Sequence, residues 1–536
     1  MRTTYIVKIL KGDLDTLINL TELKIEANHY LEYLEPGLFK NLSRLEQLSI
    51  SFNNGLKVLH EGTFEGLINL KNLTLVNNLF TSIPDLTSLL KPNILPSLNG
   101  LDISENPFEN VTINAFSPMK GSQLTSLGIN LSGLEYIHPD SFLPLEFLKK
   151  LHIGQNNLKS SFICEFLLSM YIKHIELTYI DLSGMGFHKQ PPRNLTEIIA
   201  RTAISRLIMA DNRFEIINDD TFPTMPNIAE LNLRRVSAMF ISPNAFDPIK
   251  FPNLQVLLLS GNNLKGIYQI NQPGYRLAVM DLSSSGDHTR DEYYYDIAKN
   301  IFLNFNKLRV LNLSHNAVKA IHNYTFEGLD NLQILNLENS SIYCVENGSF
   351  RATKHLKYLN LANNKLGYVI NVTGNIFDGL KELKVLILRN CGINKIDERD
   401  NLFEKMPNIT VLILSKNLLR CFSPKILRPL KKLELIDLSE NLLVAWASSL
   451  FVDNGVQPTN VYFANNKIVQ FTEPMLLDIK YLLGNKSNST ALIDLNNNLF
   501  NCDCNLMYQT FIWLEKNGSQ SVKEYILRHV KLSSGH

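Results

Sequence analysis

Long apolar runs are missing from this chain of 536 residues, although 45% of its residues are hydrophobic. A helix that crosses a bilayer needs roughly 18 to 20 consecutive apolar residues. At the amino end, Lys8 interrupts the short apolar stretch of MRTTYIVKIL, which makes a poor signal peptide. The sequence therefore predicts neither a leader nor a membrane-spanning segment within these residues.

Excess charge and catalytic motifs are missing as well. The 52 basic and 51 acidic residues leave a net charge of +1, which gives no general argument for nucleic acid or an anionic membrane as the partner. There is no phosphate-binding glycine loop, no G-x-S-x-G and no H-E-x-x-H, and the histidines are scattered. We therefore predict a protein that is not an enzyme, with no catalytic residues, no cofactor and no metal.

A leucine-rich phrase, L-x-x-L-x-L-x-x-N, recurs along nearly the whole chain. Leu70, Leu73, Leu75 and Asn78 form one clear copy, and about 19 copies follow one another at spacings of mostly about 24 to 28 residues. Repeats that pack only on their neighbours can extend one core indefinitely. The length of the chain is therefore compatible with one long domain rather than several globular ones.

Within each copy, the x-L-x-L-x part alternates apolar and polar residues, which predicts a short strand with one buried face. The Asn follows the strand, where its amide can satisfy adjoining buried backbone groups. The fold class is predicted as α/β, a leucine-rich-repeat solenoid forming a curved horseshoe with a parallel β-sheet on its concave face. A recurring phenylalanine in the return half indicates an aromatic spine, at Phe64, Phe116, Phe246, Phe326 and Phe377.

Some copies depart from the pattern. Five residues are assigned to the Asn position in place of Asn: Ile180, Val236, Ser285, Ser340 and Cys391. Three segments lengthen the spacing: residues 181–205, 283–306 and 465–490. We expect the extra residues to leave the coil as loops, which in repeat proteins either carry specificity or form plain surface.

The last repeat is followed by N-L-F-N-C-D-C-N-L at residues 498–506 and by F-I-W-L at 511–514. This pattern resembles the C-terminal cap of extracellular leucine-rich-repeat proteins, in which C-x-C opens a disulfide-linked cap. Cys502 and Cys504 are too close to bridge each other comfortably. We predict a repeat array over 1–498 and a partial cysteine cap over 499–536. Because residues 20–28 already form a full repeat, the chain is predicted to be incomplete at both ends.

The other four cysteines, Cys164, Cys344, Cys391 and Cys421, are predicted to be free structural residues. Cys344 and Cys421 share one phase of the repeat but sit three repeats apart, roughly 14 Å at strand spacing, which exceeds disulfide reach.

Sequons for N-glycosylation favour the secretory route, although an Asn- and Leu-rich repeat creates some of them by accident. We expect Asn72 and Asn312 to stay unmodified, because they occupy outward positions of the concave strands. The predicted glycosylation sites are Asn19, Asn41, Asn110, Asn130, Asn194, Asn323, Asn347, Asn371, Asn408, Asn485 and Asn488.

The repeat phrase, the phenylalanine spine, the irregular insertions and the C-x-C segment together resemble the ectodomain of Toll-like receptors. The resemblance implies a pattern-recognition receptor of innate immunity, at the cell surface or in endosomes, that binds microbial or danger-associated ligands on its concave or lateral face. It also implies ligand-linked dimerisation and membrane attachment in a longer protein. Two other interpretations stay open: a secreted or anchored adhesion or guidance protein, and a cytosolic scaffold or inhibitor.

Two groups of residues are candidates for ligand contact. Arg206, Arg234 and Arg235 come from neighbouring repeats and form either a modest basic patch on the concave side or ordinary solvated charge. An acidic, tyrosine-rich segment offers stiff amphipathic contact area, or is a plain surface loop. Its acidity disfavours phosphate, so nucleic acid is not the favoured ligand. The candidates in that segment are Asp287, Arg290, Tyr293, Tyr294 and Tyr295.

Overall fold

The structure is a computed structural model in which the chain divides into two compact units, residues 1–258 and 259–536. Each unit is described by itself. The described residues are 5–264, 266–267, 275–285, 296–297, 299–372, 374–396, 402–445, 448–484, 491–500 and 504–533.

The first unit contains one parallel sheet in which each strand pairs in register with the next. Its strands, among the described residues, are Glu22–Glu26, Gln47–Ser51, Asn72–Thr74, Gly100–Asp102, Ser126–Gly128, Lys150–His152, Tyr179–Asp181, Arg206–Ile208, Glu230–Asn232 and Val256–Leu258. The return half carries short paired strands, Lys8–Ile9 with Tyr33–Leu34, Asn110–Val111 with Tyr136–Ile137, and Ile216–Ile217 with Phe240–Ile241. Its helices are Ile83–Thr87, Ser160–Ile172 and Arg193–Ile199, with a 3₁₀ turn at Ser117–Met119.

The second unit repeats this arrangement. Its described sheet strands are Val279–Asp281, Val310–Asn312, Ile334–Asn336, Tyr358–Asn360, Val385–Ile387, Val411–Ile413, Leu435–Asp437, Asn460–Tyr462 and Leu492–Asp494. The short return strands are Gly266–Ile267 with Asp296–Ile297, and Ala320–Ile321 with Cys344–Val345. Helices span Gly367–Val372, Glu473–Leu483, Cys504–Asn517 and Gln520–Ser533, with 3₁₀ turns at Gly374–Phe377, Leu402–Lys405 and Pro424–Leu427.

The alternation of the repeat phrase explains these strands. Leu231 and Leu233 are fully buried, whereas Glu230 and Asn232 between and beside them remain partly exposed on the other face of the sheet. A period of two puts every second side chain into the core. The predicted leucine-rich-repeat solenoid with a parallel β-sheet is confirmed.

The repeated Asn holds the turn that follows each strand. Asn364 donates through Nδ2 to the carbonyl oxygens of Leu337 (2.8 Å) and Leu361 (2.9 Å). Its Oδ1 accepts from the backbone N–H groups of Ser340 (3.1 Å) and Ile342 (2.9 Å). One buried amide thus pairs four backbone groups that the turn would otherwise leave unsatisfied. The predicted role of the Asn is confirmed.

The residue that precedes each ladder Asn bends the chain out of the strand. Asn363 has a φ of 58°, and Arg235, at the same position in its own repeat, has a φ of 51°. This left-handed conformation is rare for residues with a side chain, and a fully paired turn is needed to hold it. The Asn ladder supplies that pairing.

Substitutes at the Asn position keep part of its function. Ser285, Ser340 and Cys391 donate to the same carbonyl of the preceding repeat that an Asn would reach, at 3.3, 3.1 and 3.1 Å. The assignment of Ile180 to this position is wrong. Ile180 lies within its strand, in register with Leu151 and Leu207. Ile180 corresponds to the second leucine of the repeat phrase, so the Asn position falls five residues later, at the buried Met185.

The return half contains the predicted aromatic spine. Phe64, Phe116, Phe246, Phe326 and Phe377 are all buried. Consecutive repeats stack their rings, as at Phe326–Phe350 (5.7 Å between centroids) and Phe350–Phe377 (6.0 Å). Offset ring contacts at this distance add to the area that each Phe buries.

Two of the three segments expected to form loops contain helices instead. Arg193–Ile199 buries Leu195 and Ile199, and Glu473–Leu483 buries five residues of its inner face. The second helix also directs its Asp478 carboxylate at the backbone N–H of Leu450 (2.6 Å). These helices form because apolar residues recur at helical spacing, which keeps the segments against the core.

The cysteine prediction is confirmed for the residues that the structure describes, since Cys164, Cys344, Cys391 and Cys421 are all free. At the carboxyl end, the two last helices bury Trp513, Leu514, Val522 and Ile526. Tyr525 donates its hydroxyl to the carbonyl of Ile493 in the final sheet strand (2.8 Å). These contacts cover the last repeat. Cys502 lies outside the described residues, so the disulfide-linked cap predicted for Cys502 and Cys504 stays a prediction.

Candidate ligand-binding face

The outward face of the sheet in the first unit contains a depression of about 380 Å³, formed on four consecutive strands. Register aligns the residues in two rows across these strands. One row is Asn72, Gly100, Ser126 and Lys150, and the other is Thr74, Asp102, Gly128 and His152. Asn99, Thr125 and Asn130 complete its polar rim.

Glycines create the floor of the depression. Gly100 and Gly128 step diagonally across adjacent strands, and Gly154 continues the diagonal two residues past the end of the next strand, Lys150–His152. A Cβ atom at Gly100 would lie 2.5 Å from Oδ1 of Asn72, and one at Gly128 would lie 2.6 Å from Oδ1 of Asp102. The glycines therefore let polar side chains of the preceding strand lie flat over the backbone.

Several hydrogen-bonding groups here have no partner among the described residues. Thr74 Oγ1, Ser126 Oγ, Asn130 Nδ2 and Lys150 Nζ make no protein hydrogen bond in that part of the chain. Asp102 is only half satisfied, because Oδ1 accepts from the Ser104 backbone N–H (3.0 Å) and hydroxyl (2.6 Å) while Oδ2 accepts from neither. Donors and acceptors thus point into one concave space.

His152 lines the depression, and both burial and nearby carboxylates act on its imidazole ring. Its ring centroid lies 4.6 Å from that of Tyr179, and its Nδ1 lies 4.0 Å from Oδ2 of Asp181. Burial lowers the pKa of His152 below 6.5, and the Asp181 and Asp102 carboxylates partly offset that effect. The lowered pKa favours the neutral ring, in which one nitrogen donates and the other accepts.

The predicted arginines all belong to the first unit, and carboxylates face two of them. Arg206 Nε lies 3.5 Å from Oε2 of Glu230. Arg235 binds Asp211 with both ends of its guanidinium, at 2.6 and 2.7 Å. Arg234 is half-buried. Arg206 and Arg235 are therefore paired with carboxylates rather than part of an open basic patch, and the role of the three arginines in ligand binding stays a prediction.

The other predicted site residues fall partly outside the structure's coverage. Asp287, Arg290, Tyr293, Tyr294 and Tyr295 lie outside the described residues, as do Asn485 and Asn488. Asn371 lies in the helix Gly367–Val372, and its side chain is not described. Asn130 and Asn408 are half-buried. The predicted sites with exposed side chains are Asn19, Asn41, Asn110, Asn194, Asn323 and Asn347.

In the second unit, the outward face of the sheet has a different character. The first residue of each sheet strand points outward, and in this unit it is apolar or aromatic except at Asn460. Ile334 is 39% exposed and Leu492 is 50% exposed. We call the first residues of the sheet strands in each unit its outward row.

The sequence analysis did not predict the depression. It rests on the leucine and Asn positions of the repeat phrase, whereas the depression is formed by the residues between the leucines. The signal was present. Gly100, Gly128 and Gly154 occupy outward positions in three consecutive repeats. Three adjacent outward glycines predict close approach of something polar to the backbone.

In the ranges that the structure covers, no three His, Cys, Asp or Glu side chains are grouped as a metal site requires. No helix in the same ranges combines the length and apolar character needed to span a bilayer.

The chain belongs to the leucine-rich repeat family. The family model described as "Leucine rich repeat" matches residues 18–80 and 202–267, and overlapping matches cover 293–342, 306–366, 330–393 and 381–443. Together these matches cover more than half of the chain.

Among curated proteins, the chain is similar to Toll-like receptor 3 of Bos taurus and of Boselaphus tragocamelus. Each is 27% identical over 177 residues, which make up 32% of this chain and 19% of the receptor. The matched part of the chain thus spans about a fifth of those relatives, 19% of their length. The resemblance to Toll-like receptor ectodomains is confirmed.

Two solved structures show the same fold. The mouse RP105/MD-1 complex has a TM-score of 0.62 at 18% identity, with 93% of this chain and 92% of that chain covered. The TLR13-ssRNA13 complex has a TM-score of 0.55 at 21% identity, with 89% of this chain and 68% of that chain covered.

Proposed function

We propose that the chain is the recognition ectodomain of an innate-immune receptor and binds its ligand on the outward face of the first unit. The observation that carries the proposal is the depression around Asp102, where unpaired donors and acceptors meet on a rigid sheet. Binding sites favour such concave surfaces with a few fixed polar groups. The chain acts by binding, without a chemical step.

The similar structures support this function. One is a complex with ssRNA and the other is a complex with MD-1, so each contains a bound ligand or partner. For this chain we expect a microbial or protein ligand, with dimerisation on binding and membrane attachment in the full-length receptor. The carboxylates facing Arg206 and Arg235 disfavour nucleic acid, because phosphate contacts need uncompensated cations.

The proposed location is the extracellular face of the plasma membrane or the endosome lumen. The exposed sequon residues, such as Asn41 and Asn323, support it. A chain fused to a heterologous leader and expressed in a secretory host is expected to carry glycans that a glycan-cleaving enzyme removes. A secreted chain with no removable glycan would contradict this location and favour the cytosolic alternative.

A matched pair of glycan insertions tests the binding face. Asp102→Asn creates the sequon N-I-S at 102–104, and Asp437→Asn creates the sequon N-L-S at 437–439 on the second unit. The two sites are equivalent, because each carboxylate accepts from the backbone and hydroxyl of the Ser two residues later. Neither change disturbs the buried leucines.

The measurement is binding of peptidoglycan, mannan, lipopolysaccharide and a single-stranded RNA to the immobilised chain by biolayer interferometry. Peptide mass spectrometry first verifies that each introduced sequon is glycosylated, since the outward sequons at Asn72 and Asn312 are expected to stay unmodified. In variants that carry the glycan, the one at residue 102 is expected to abolish the binding seen with the parent chain, and the one at 437 to leave it intact. The double variant Asp102→Asn/Ser104→Ala has the substitution without the sequon and separates glycan from charge. Loss of binding at 437 but not at 102 would contradict the proposed face.

A further inference from the structure

We infer that the depression on the first unit binds a neutral saccharide through the hydroxyl groups of its sugar rings. The inference rests on the proposed function and names the ligand class of the same site. It follows from which hydrogen-bonding groups are unpaired, from what surrounds them, and from the size of the space.

The unpaired groups alternate between donors and acceptors over a short distance. Asn130 Nδ2 donates and the Oδ2 atom of Asp102 accepts, while the hydroxyls of Thr74 and Ser126 do both. A sugar hydroxyl also donates one hydrogen bond and accepts others. A ligand with several adjacent hydroxyls can therefore satisfy this mixture, whereas a ligand of acceptors alone leaves Asp102 unpaired in a partly desolvated site.

Charge at the site disfavours an anionic ligand. Lys150 is the one cation among the residues that line the depression, and the carboxylate of Asp102 lines it as well. The lowered pKa of His152 favours its neutral form, which adds no positive charge. A phosphate-bearing ligand would therefore meet one carboxylate for one ammonium group, which leaves no excess of cations to attract it.

The lining also disfavours a protein side chain as the occupant. Protein interfaces are anchored by aromatic or aliphatic groups that enter apolar pockets. Leu73 and Leu101 contribute to the walls, but both are buried strand residues whose side chains point into the core. The exposed lining is amide, hydroxyl, carboxylate and imidazole.

An aromatic surface borders the depression on one side. Tyr179 and His152 lie with their rings 4.6 Å apart, and both are half-buried. The C–H face of a sugar ring is apolar and packs on such surfaces, while its hydroxyls reach the polar rim. The volume of about 380 Å³ is at the lower end of the roughly 300–1,000 Å³ that small-ligand sites occupy. The site therefore suits one or a few rings of a longer glycan.

The inference requires that two sequons within the depression carry no glycan. Asn72 and Asn130 both line the depression and both begin a sequon. A glycan on either would fill the space. Asn130 already uses Oδ1 to accept from the backbone N–H of Gly154 (2.7 Å). Peptide mapping by mass spectrometry is expected to find both residues unmodified, against the earlier prediction of a glycan at Asn130, and a glycan at either would overturn the inference.

The binding experiment uses an array of neutral microbial oligosaccharides, followed by titration with soluble mannan and laminarin. Ser126→Val removes one donor and acceptor but keeps a residue suited to a strand, and is expected to weaken saccharide binding by about 5- to 10-fold. The matched control is Asn460→Val, at the equivalent outward position of the second unit, which is expected to change nothing. Equal melting temperatures show that both variants fold.

The outcomes separate this inference from the proposed function. Failure of every neutral saccharide on the array overturns the saccharide inference. If RNA or lipopolysaccharide then binds and the glycan at residue 102 blocks it, the proposed function stands. If saccharide binds but Ser126→Val and Asn460→Val weaken it equally, the depression is not the site and the inference is wrong.

Discussion

The two units share one backbone plan and differ in the outward row of their sheets. In the first unit this row is mostly polar, as with Glu22, Gln47 and Lys150. In the second it is mostly aliphatic, as with Val310 and Val385. Both units bury the repeated leucines and contain the Asn ladder, with a few substitutions in each.

This difference shows which positions of the repeat are constrained. The inward leucines and the ladder Asn satisfy the core and the turns, so a change there is felt by the fold. An outward residue touches only its neighbours across the strand, where polar and β-branched residues are both tolerated. The residues of the outward row can therefore vary without disturbing the fold. They form a mostly polar surface in the first unit and a mostly aliphatic one in the second.

The largest expected effect on stability comes from removing a ladder Asn, a feature that both units share. Asn156 in the first unit pairs the carbonyls of Ile129 and Ile153 and the N–H groups of Ser132 and Leu134. Asn156→Ala and its counterpart in the second unit, Asn364→Ala, should each lower the free energy of unfolding by roughly 3 to 5 kcal/mol, because four buried backbone groups lose their partner. Urea unfolding measures this.

Ser340→Ala is the control for the ladder, since it removes a single hydroxyl and is expected to cost about 1 kcal/mol. A large loss at Asn156 with little loss at Asn364 would show that the ladder does not stabilise both units alike.

The next effect concerns the cysteines that each unit buries. Burial raises the pKa of Cys164 in the first unit to about 11 and that of Cys391 in the second to about 12. Only the thiolate reacts with alkylating reagents. At pH 8 we expect iodoacetamide to label exposed Cys421 at least about 100-fold faster than Cys391, as followed by peptide mass spectrometry. Comparable rates would mean that the second unit opens readily.

A smaller effect is expected from acid on the polar face. Because the folded-state pKa of His152 lies below 6.5, the unfolded chain binds more protons as pH falls through 6.5, and this residue then destabilises the fold. Asp181→Asn removes a carboxylate that raises the pKa of His152, so the ring should titrate lower still. Imidazole NMR, assigned with His152→Gln, measures the midpoint. An upward shift in Asp181→Asn would contradict the assigned cause.

The smallest effect is expected from exchanging outward residues between the units. Ser126→Val gives the first unit an aliphatic outward residue, and Ile334→Ser gives the second unit a polar one. Each should change the free energy of unfolding by less than about 0.5 kcal/mol, as exposed substitutions do. A loss several times larger in thermal unfolding would show that the outward row supports the fold as well as recognition.

Much of the repeat plan follows from local pattern. The alternation around Leu231 and Leu233 predicts a strand, because a period of two separates a buried face from an exposed one. The positions of the ladder Asn and of the spine phenylalanine also follow from local sequence, because each recurs at the same place in successive repeats. These features can be predicted without knowing which residues of neighbouring repeats lie beside them.

The candidate binding face depends on which residues are neighbours in space. Whether Arg235 is available to a ligand depends on Asp211, which lies 24 residues earlier and one strand away. The depression exists because register brings Gly100 and Gly128 diagonally together beside Asp102. The sequence by itself determined the strands, the ladder and the spine, because those are requirements within a repeat. Only the tertiary structure decided which polar groups stay unpaired, because that depends on pairing between repeats.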